Sequence, residues 1–411
     1  MKIKLILITL TILINLVICH PKVIINNLTP EEVLTQTKTT LDGLDCYTGY
    51  ITVNTTYGSN IFYAFFPSQD KQDDPVGIWL QGGPGCSSIF GMMEENGPVF
   101  VHSNGSLYRN TFTWNTKLHM LYIDSPVGTG FSYVNNNAGF VTDEEEIANE
   151  LYTALLVFFQ KYLDYSTQDL YIFGESYGGK YVPSISYKIM NEGNKLHLKG
   201  LGVGDGSVDP INQVETYAEF AYSVGIIAKN EIEEIEAYQN ECIVDINAKE
   251  WDDATHEYRL ARTRVVIISG DVNEYDIRKY GEYNYNPIID FLNTQELKDS
   301  FGVDNDWVVC NYTVNDMFNE DITQSVAYKV QALLSSGYKV LIYNGQFDFI
   351  INAIGAYNWI QKLDWKFIDK FKSAERTIWK VDSNVAGFVQ NYQNLFFVVI
   401  ANAGHLSPVI L

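Results

Sequence analysis

Three residues far apart in the chain could together cut an acyl bond: a serine, an acid and a histidine. Ser176 stands in Gly174-Glu175-Ser176-Tyr177-Gly178-Gly179. The apolar run Leu170-Tyr171-Ile172-Phe173 precedes it; Lys180-Tyr181-Val182-Pro183 and a helix-like segment, residues 184–190, follow. Strand, sharp turn and helix is the setting in which Gly-x-Ser-x-Gly presents its hydroxyl as a nucleophile. Glycines on either side carry no Cβ, so the turn can be tight. Asp348 ends Asn344-Gly345-Gln346-Phe347-Asp348, just after the apolar run 339–343. His405 ends Ala401-Asn402-Ala403-Gly404-His405, just after the run 395–400. In that set Ser176 would attack a carbonyl. His405 would take the hydroxyl proton and later return it to the leaving group, and Asp348 would orient the imidazole. A Gly-rich turn, a loop Asp and a loop His are each ordinary. Their joint placement after three strands carries the reading.

Those strands must come from a sheet. Residues 47–53 and 61–66 read as β-runs around a Gly58-Ser59-Asn60 turn. Residues 77–80 form a short buried strand that runs into Gln81-Gly82-Gly83-Pro84-Gly85-Cys86-Ser87-Ser88. A strand ending in a Gly-rich loop offers backbone N–H groups to whatever lies above the sheet, as an oxyanion hole requires. Residues 120–124 are a further strand, closed by Ser125-Pro126-Val127-Gly128. Residues 142–161 predict a helix, with Thr142 and Glu145 as a capping box. Ile147, Leu151, Ala154, Leu155 and Phe158 share its apolar face. Residues 198–203 are the next strand, and residues 20–45 read as a helix-like leader.

The alternation βαβα predicts an α/β fold, with a mostly parallel central sheet and helices on both faces. The chain order Ser, Asp, His is that of α/β-hydrolase triads. Residues 20–210 and 326–411 would form the core. Residues 211–325 would form an inserted helical cap, where acidic helical stretches at 231–241 and 250–259 mix with Tyr-rich loops such as 280–285. The strand before Asp348 reads as the penultimate one. All three reactive residues then lie at carboxyl ends of strands, where open α/β sheets place their sites.

The net charge of −22 argues against a nucleic-acid partner, since phosphate binding needs clustered Lys and Arg. An acidic surface suits an acidic compartment. Lys2 and Lys4 followed by the apolar run 5–18 predict a signal peptide over residues 1–19. A retained anchor is the alternative, but the run is short for a membrane span. No later stretch reaches 18 apolar residues, so no membrane contact is expected after signal removal. Beyond Cys19 stand Cys46, Cys86, Cys242 and Cys310, an even set that suggests two disulfides in one of three connectivities. Asn27, Asn54, Asn104 and Asn311 head Asn-x-Ser/Thr glycosylation sequons. None of the six His opens a His-x-x-Glu or His-x-x-x-His pair, so neither a catalytic metal nor a cofactor is expected.

The segments LQGGPGCSS, GMMEENGP, LYIDSPVGTGFSY, FGESYGGKYVP, GVGDGSVDP, LIYNGQFDFI and NAGHLSP stand in one order across most of residues 45–410. In this the chain resembles the serine carboxypeptidases. LQGGPG, LYIDSPVGTGFSY, VLIYNGQ and Leu363-Asp364-Trp365-Lys366 look most like the vitellogenic carboxypeptidase-like branch. The resemblance implies release of residues from peptide C-termini through an acyl-enzyme. It implies Gly83 and Tyr177 N–H groups as the oxyanion hole. Gln81, Gly82, Glu95 and Glu175 would hold the substrate's terminal carboxylate. Gln81 stands where many members have Asn and reaches one methylene further. The resemblance also implies a Cys86–Cys310 bridge and, with it, Cys46 and Cys242 as the second pair.

Two Glu residues can grip a carboxylate only if they share protons, because like charges at that range cannot all stay ionised. Activity is therefore expected in acid, in a lysosome-like compartment or outside the cell. Members of the family continue beyond His-x-x-Pro into a final helix. Here the sequence stops at Leu411, so His405 is expected to be less firmly held. Two other functions stay open: acyl transfer to an acceptor other than water, and a catalytically idle binding or protective protein. The oligomeric state is open too, with a homodimer among the options.

Overall fold

The computed structural model of the protein describes residues 33–410. The signal segment, Cys19 and the Asn27 sequon lie outside the described residues. Strands follow as β1 Thr37–Leu41, β2 Leu44–Asn54, β3 Ser59–Phe66, β4 Val76–Leu80, β5 Val99–Val101, β6 Leu107–Arg109 and β7 His119–Ile123. Then come β8 Tyr133–Val134, β9 Leu170–Glu175, β10 Leu198–Gly204, β11 Lys339–Gly345, β12 Thr377–Val381, β13 Asn384–Tyr392 and β14 Leu395–Ile400. Helices of seven or more residues are α1 Ser88–Glu94, α2 Glu144–Lys161, α3 Gly178–Asn191, α4 Tyr217–Ser223 and α5 Ile232–Ala248. They continue as α6 Trp251–Ile268, α7 Asn286–Leu292, α8 Gln295–Phe301, α9 Ala327–Ser335 and α10 Ala353–Gln361.

Twelve strands form one sheet in the order β1-β2-β3-β7-β4-β9-β10-β11-β14-β13-β12, with β8 added beside β3. The middle of it, from β7 to β14, is parallel, and antiparallel strands flank it on both sides. This is the α/β-hydrolase architecture. β3 shows why both faces are covered: all eight of its residues are buried. Ile61, Tyr63 and Phe65 join one core cluster, and Phe62, Ala64 and Phe66 the other. A strand buried on both sides reads as an unbroken apolar run rather than an alternating one.

Helix α2 covers the first face with Ile147, Leu151, Ala154, Leu155 and Phe158, all buried. Phe158 meets Tyr63 edge-on at 5.6 Å between ring centroids. Removing one such ring would cost about 3–5 kcal/mol. The helix cap sits one residue later than the expected Thr142/Glu145 box. Asp143 accepts from the N–H groups of Glu145 and Glu146, and Glu146 reaches back to the Thr142 N–H at 2.9 Å. An Asp carboxylate accepts two amides at once, so it takes the cap from its neighbour.

Between β10 and β11 the chain is helical. The acidic stretches expected at 231–241 and 250–259 extend into the longer α5 and α6. The segment does more than cap. Ile235, Ala254 and Val265 pack on the Tyr63 face, whereas Ile288, Leu292, Leu297 and Phe301 pack on the Phe62 face. The insertion therefore grips both sides of the sheet.

Three expectations need correction. Residues 37–41 of the helix-like leader are strand β1, paired antiparallel with β2 from Thr37–Thr48 to Leu41–Leu44. The strand before Asp348 is not the penultimate one, because the β12–β13 hairpin lies between it and β14. Cys46 and Cys242 do not pair; both are buried free thiols. Cys46, on β2, packs in the Phe62 cluster, whereas Cys242, on α5, packs among helices that join the Tyr63 cluster, so the two thiols lie in different parts of the core. Each acts as a small apolar side chain, and burial pushes the Cys242 thiol up to about 12. Cys86 and Cys310 are bridged across 224 residues.

Among the sequons, Asn104 is exposed in the β5–β6 turn and Asn54 is half-buried at the end of β2. Asn311 caps a short helix, Tyr312–Met317, and donates through Nδ2 to Gly128 O at 2.8 Å.

Thiol counting checks the cysteine chemistry. Protein lacking residues 1–19, denatured without reductant, should expose two reactive thiols, Cys46 and Cys242, and four after reduction. No reactive thiol before reduction would mean that the core does not keep those two apart.

Candidate active site

Strand register brings the reactive loops to one level. Gly204 at the end of β10 pairs with Glu175 of β9 on one side and Tyr343 of β11 on the other. Gly345 at the end of β11 pairs with Ile400 of β14. The chain leaves all four strands at the same edge, and Ser176, Asp348 and His405 lie in the loops that follow.

Ser176 sits at φ +59°, a left-handed backbone that a non-glycine residue adopts only when its surroundings hold it. Its N–H donates to Gly204 O at 3.1 Å, and its carbonyl accepts from the N–H groups of Gly179 and Ser207, both at 2.9 Å. The strained turn is thus tied to the neighbouring strand. Its side chain is only partly covered, while Asp348 is fully buried and His405 nearly so.

Asp348 Oδ2 meets His405 Nδ1 at 2.9 Å. Asp348 Oδ1 accepts from Ile351 N at 3.3 Å. The other imidazole nitrogen, Nε2, is buried and makes no hydrogen bond to any described residue. Burial lowers the pKa of the imidazole below its ordinary value. It therefore stays neutral, and able to accept a proton, at mildly acid pH. The His405 N–H donates to Tyr275 O at 2.7 Å, and the two rings lie 5.2 Å apart. Asp205, Asp348 and His405 each offer a ligand atom, all within 4.8 Å of one another. Among the described residues this is the one cluster with metal-like spacing. Its carboxylates accept from Ile351 N, Gly345 N and Ser407 Oγ, the bonding of a hydrogen-bonded relay.

The loop 81–88 closes over the nucleophile turn. A Cβ on Gly82 would stand 2.4 Å from Tyr177 N and 2.6 Å from Glu175 O, so only glycine fits there. Gly83 is exposed at φ +112°. Ser87 Oγ donates to Asp124 Oδ1 at 2.6 Å and accepts from Trp307 Nε1 at 2.8 Å. Gln81 N donates to Ser88 Oγ at 3.0 Å. Gln81 Oε1 accepts from Trp79 Nε1 at 2.8 Å, and Gln81 Nε2 donates to Glu175 Oε1 at 3.1 Å. Trp79 thereby sets which way the amide faces, and the extra methylene is absorbed by that clamp.

Glu95 caps the end of α1 and is 1% exposed; Glu175 is fully buried. Burial raises both carboxyls above their ordinary range, and for Glu175 the charge of Glu95 adds to it. Neither carboxyl is paired with Lys or Arg among the described residues, so in acid both are driven towards their protonated, hydrogen-donating forms.

A family model described as serine carboxypeptidase matches residues 36–410. The chain belongs to the serine carboxypeptidase family. It is 40% identical to serine carboxypeptidase S10 family member 1 of Dictyostelium discoideum, over 88% of this chain and 89% of that one. It is 37% identical to the human probable serine carboxypeptidase CPVL, over 88% of this chain and 79% of that one. A crystal structure of Kex1(delta)p, a prohormone-processing carboxypeptidase from Saccharomyces cerevisiae, superimposes with a TM-score of 0.83 at 26% identity, covering 93% of each chain.

Two features of this carboxypeptidase were missed in the sequence. The first is a buried pair under the nucleophile turn: Lys180 Nζ meets Asp321 Oδ2 at 2.6 Å, and the Tyr177 hydroxyl donates to the same carboxylate. Lys180 was visible in FGESYGGKYVP, but nothing local marked Asp321, 141 residues away, as its partner. The second is Asp205, which GVGDGSVDP contains without signalling its place beside Asp348.

Replacing Lys180 by Met should cost about 3–5 kcal/mol, because Asp321 is left buried without its cation. Denaturant unfolding of the variant reads this. A change within 1 kcal/mol would mean that water already reaches the pair.

Several carboxyls carry raised folded pKa values: Asp124 at about 6, Glu94 at about 7, Glu144 and Glu150 at about 8. Burial is the main cause in each. Such groups hold protons in the native state that the unfolded chain releases, so stability falls as pH rises from about 4.5 to 8. His405, buried neutral, acts the opposite way as a single group. The melting temperature should therefore drop by several degrees between pH 5 and pH 8. A higher value at pH 8 would contradict the burial of these carboxyls.

Proposed function

We propose that Ser176, Asp348 and His405 act as nucleophile, orienting acid and general base in removing single residues from the C-termini of peptides and proteins. The observation that carries this is the buried Asp348–His405 bond at the strand edge that also bears the strained Ser176 turn. Ser176 Oγ adds to the scissile carbonyl while His405 Nε2 takes its proton. The N–H groups of Gly83 and Tyr177 receive the oxyanion. The C–N bond then breaks, and His405 passes its proton to the leaving amine. Water attacks the acyl-enzyme as His405 takes its proton; the acyl C–O bond then breaks, His405 returns the proton to Ser176 Oγ, and the shortened peptide leaves with a new carboxylate.

Only a C-terminal residue presents a carboxylate next to the scissile bond. Glu175, protonated in acid, donates to that carboxylate together with Glu95 and the second N–H of Gln81. Gly82 keeps the loop close enough for this grip. An acyl-enzyme that excluded water would transfer to another acceptor, and product analysis with an alcohol present separates that outcome. The N-terminal signal-like segment, the disulfide and the exposed Asn104 support a secretory route. No helix among the described residues is long and apolar enough to cross a membrane.

Ser176→Ala should lower kcat by at least about 10⁴-fold on a blocked dipeptide at pH 5. It should also abolish labelling by a phosphonofluoridate. For the unaltered enzyme, KM for a free-acid dipeptide should rise at least tenfold from pH 5 to pH 7.5, while KM for the corresponding amide changes little. Equal rises for acid and amide would remove the shared-proton account and leave the triad standing.

A further inference from the structure

Asp205 follows β10, the strand between β9 and β11, which lead to Ser176 and Asp348. It is completely buried and stands at φ +42°, a strained backbone for a residue other than glycine. Its N–H donates to Tyr343 O at 2.7 Å. Oδ1 accepts from Gly345 N at 2.7 Å, at the root of the Asp348 loop. Oδ2 accepts from the hydroxyl of Ser407, two residues after His405. One carboxyl thus ties together the two loops that must hold acid and base in register. The same carboxyl faces Asp348, with an oxygen of each within 4.8 Å of the other and of a His405 ring nitrogen.

Among the described residues no Lys or Arg is paired with either carboxyl. The ionisable groups around Asp205 are Asp348 and His405, with Glu175 from β9 and Tyr343 from β11 next outward. Two buried carboxylates so close cannot both be charged, so one of them keeps a proton. Asp348 already accepts from His405 Nδ1 and Ile351 N, which favours its charged form. Burial raises both carboxyls well above the usual range, and the charge of Asp348 raises Asp205 further, so by its bonding Asp348 takes the charge and Asp205 is left to carry the proton.

We infer that Asp205 is a positioning residue for the hydrolysis proposed above: a neutral acid that bridges the Asp348 and His405 loops and donates a hydrogen bond to Asp348. It touches no substrate. It acts by holding the Asp348 carboxylate and the imidazole in one orientation, so its effect falls on kcat. This inference rests on the assignment of Ser176, Asp348 and His405.

The test compares Asp205→Ala, Asp205→Asn and Ser407→Ala with the unaltered protein and Ser176→Ala, on a blocked free-acid dipeptide at pH 5. Asp205→Ala should lower kcat by 10- to 100-fold with KM within twofold, and should slow phosphonofluoridate labelling of Ser176 in parallel. Asp205→Asn should recover kcat to within threefold. Its amide can accept from Gly345 N and donate to Asp348, while the Ser407 hydroxyl turns to Gly404 O, already 3.2 Å away. Ser407→Ala, which removes one hydroxyl, should lower kcat three- to tenfold and serves where Asp205→Ala fails to fold. Unchanged kcat in Asp205→Ala or in Ser407→Ala overturns the inference. So does an Asn variant as weak as the Ala variant, since a carboxylate would then be required. If Ser176→Ala stays active, the assignment itself falls and this inference with it. If Ser176→Ala is inactive and Asp205→Ala is not, only this inference falls.

Discussion

Four carboxyl groups, Glu95, Glu175, Asp205 and Asp348, lie buried above one edge of the sheet, and none is paired with Lys or Arg among the described residues. Such a set exists in a folded protein only if most of its members hold protons. That constraint runs through the whole site. It makes Glu175 a donor, which a carboxylate-binding group must be. It leaves Asp348 as the charged member, because the His405 N–H and the Ile351 amide favour its ionised form. The set also surrounds an imidazole whose pKa burial lowers, which favours the neutral, proton-accepting form.

The fold supplies the confinement. Parallel pairing from β9 through β14 aligns four strand ends, so the loops after them crowd into one layer. Close backbone contact at Gly82 brings the 81–88 loop down onto the nucleophile turn. From the other side the insertion contributes Glu274, whose carbonyl accepts from the N–H groups of Phe349 and Ile350. Arg262 holds Glu274 at 2.8 Å, so the Asp348 loop is fastened to α6. Water is kept out by elements that belong to the insertion as much as to the sheet.

Much of this could be read along the chain because it was written in local signals. Apolar runs leading into glycine-containing turns marked β4, β9, β11 and β14, and Ser176, Asp348 and His405 follow the last three. Signals that depend on distant partners were silent. The β12–β13 hairpin was overlooked because β12 is exposed or half-buried along its whole length, so no inward face stands out. β1 was taken for helix because Thr37-Lys38-Thr39-Thr40 has no apolar period, and its strand form comes only from pairing with β2. An even cysteine count suggested two bridges, yet Cys46 on β2 and Cys242 on α5 are buried in different clusters. Counting cannot see how far apart two thiols are packed. Asp205 was passed over for a similar reason, since a polar residue after a strand reads as a turn until its neighbours are known.

Tertiary contacts hold the His405 loop from three directions. Tyr275 O accepts from the His405 N–H, and the Tyr275 ring lies against the imidazole. Arg278 donates to Asn402 O at 2.9 Å while its guanidinium is paired with Asp276 at 2.7 Å. Ser407 is fastened to Asp205. Two of these holds come from residues 271–285, so His405 is positioned by that segment and by one buried acid. With Nδ1 donating to Asp348, Nε2 is left without a hydrogen-bond partner among the described residues, the tautomer that a proton acceptor needs.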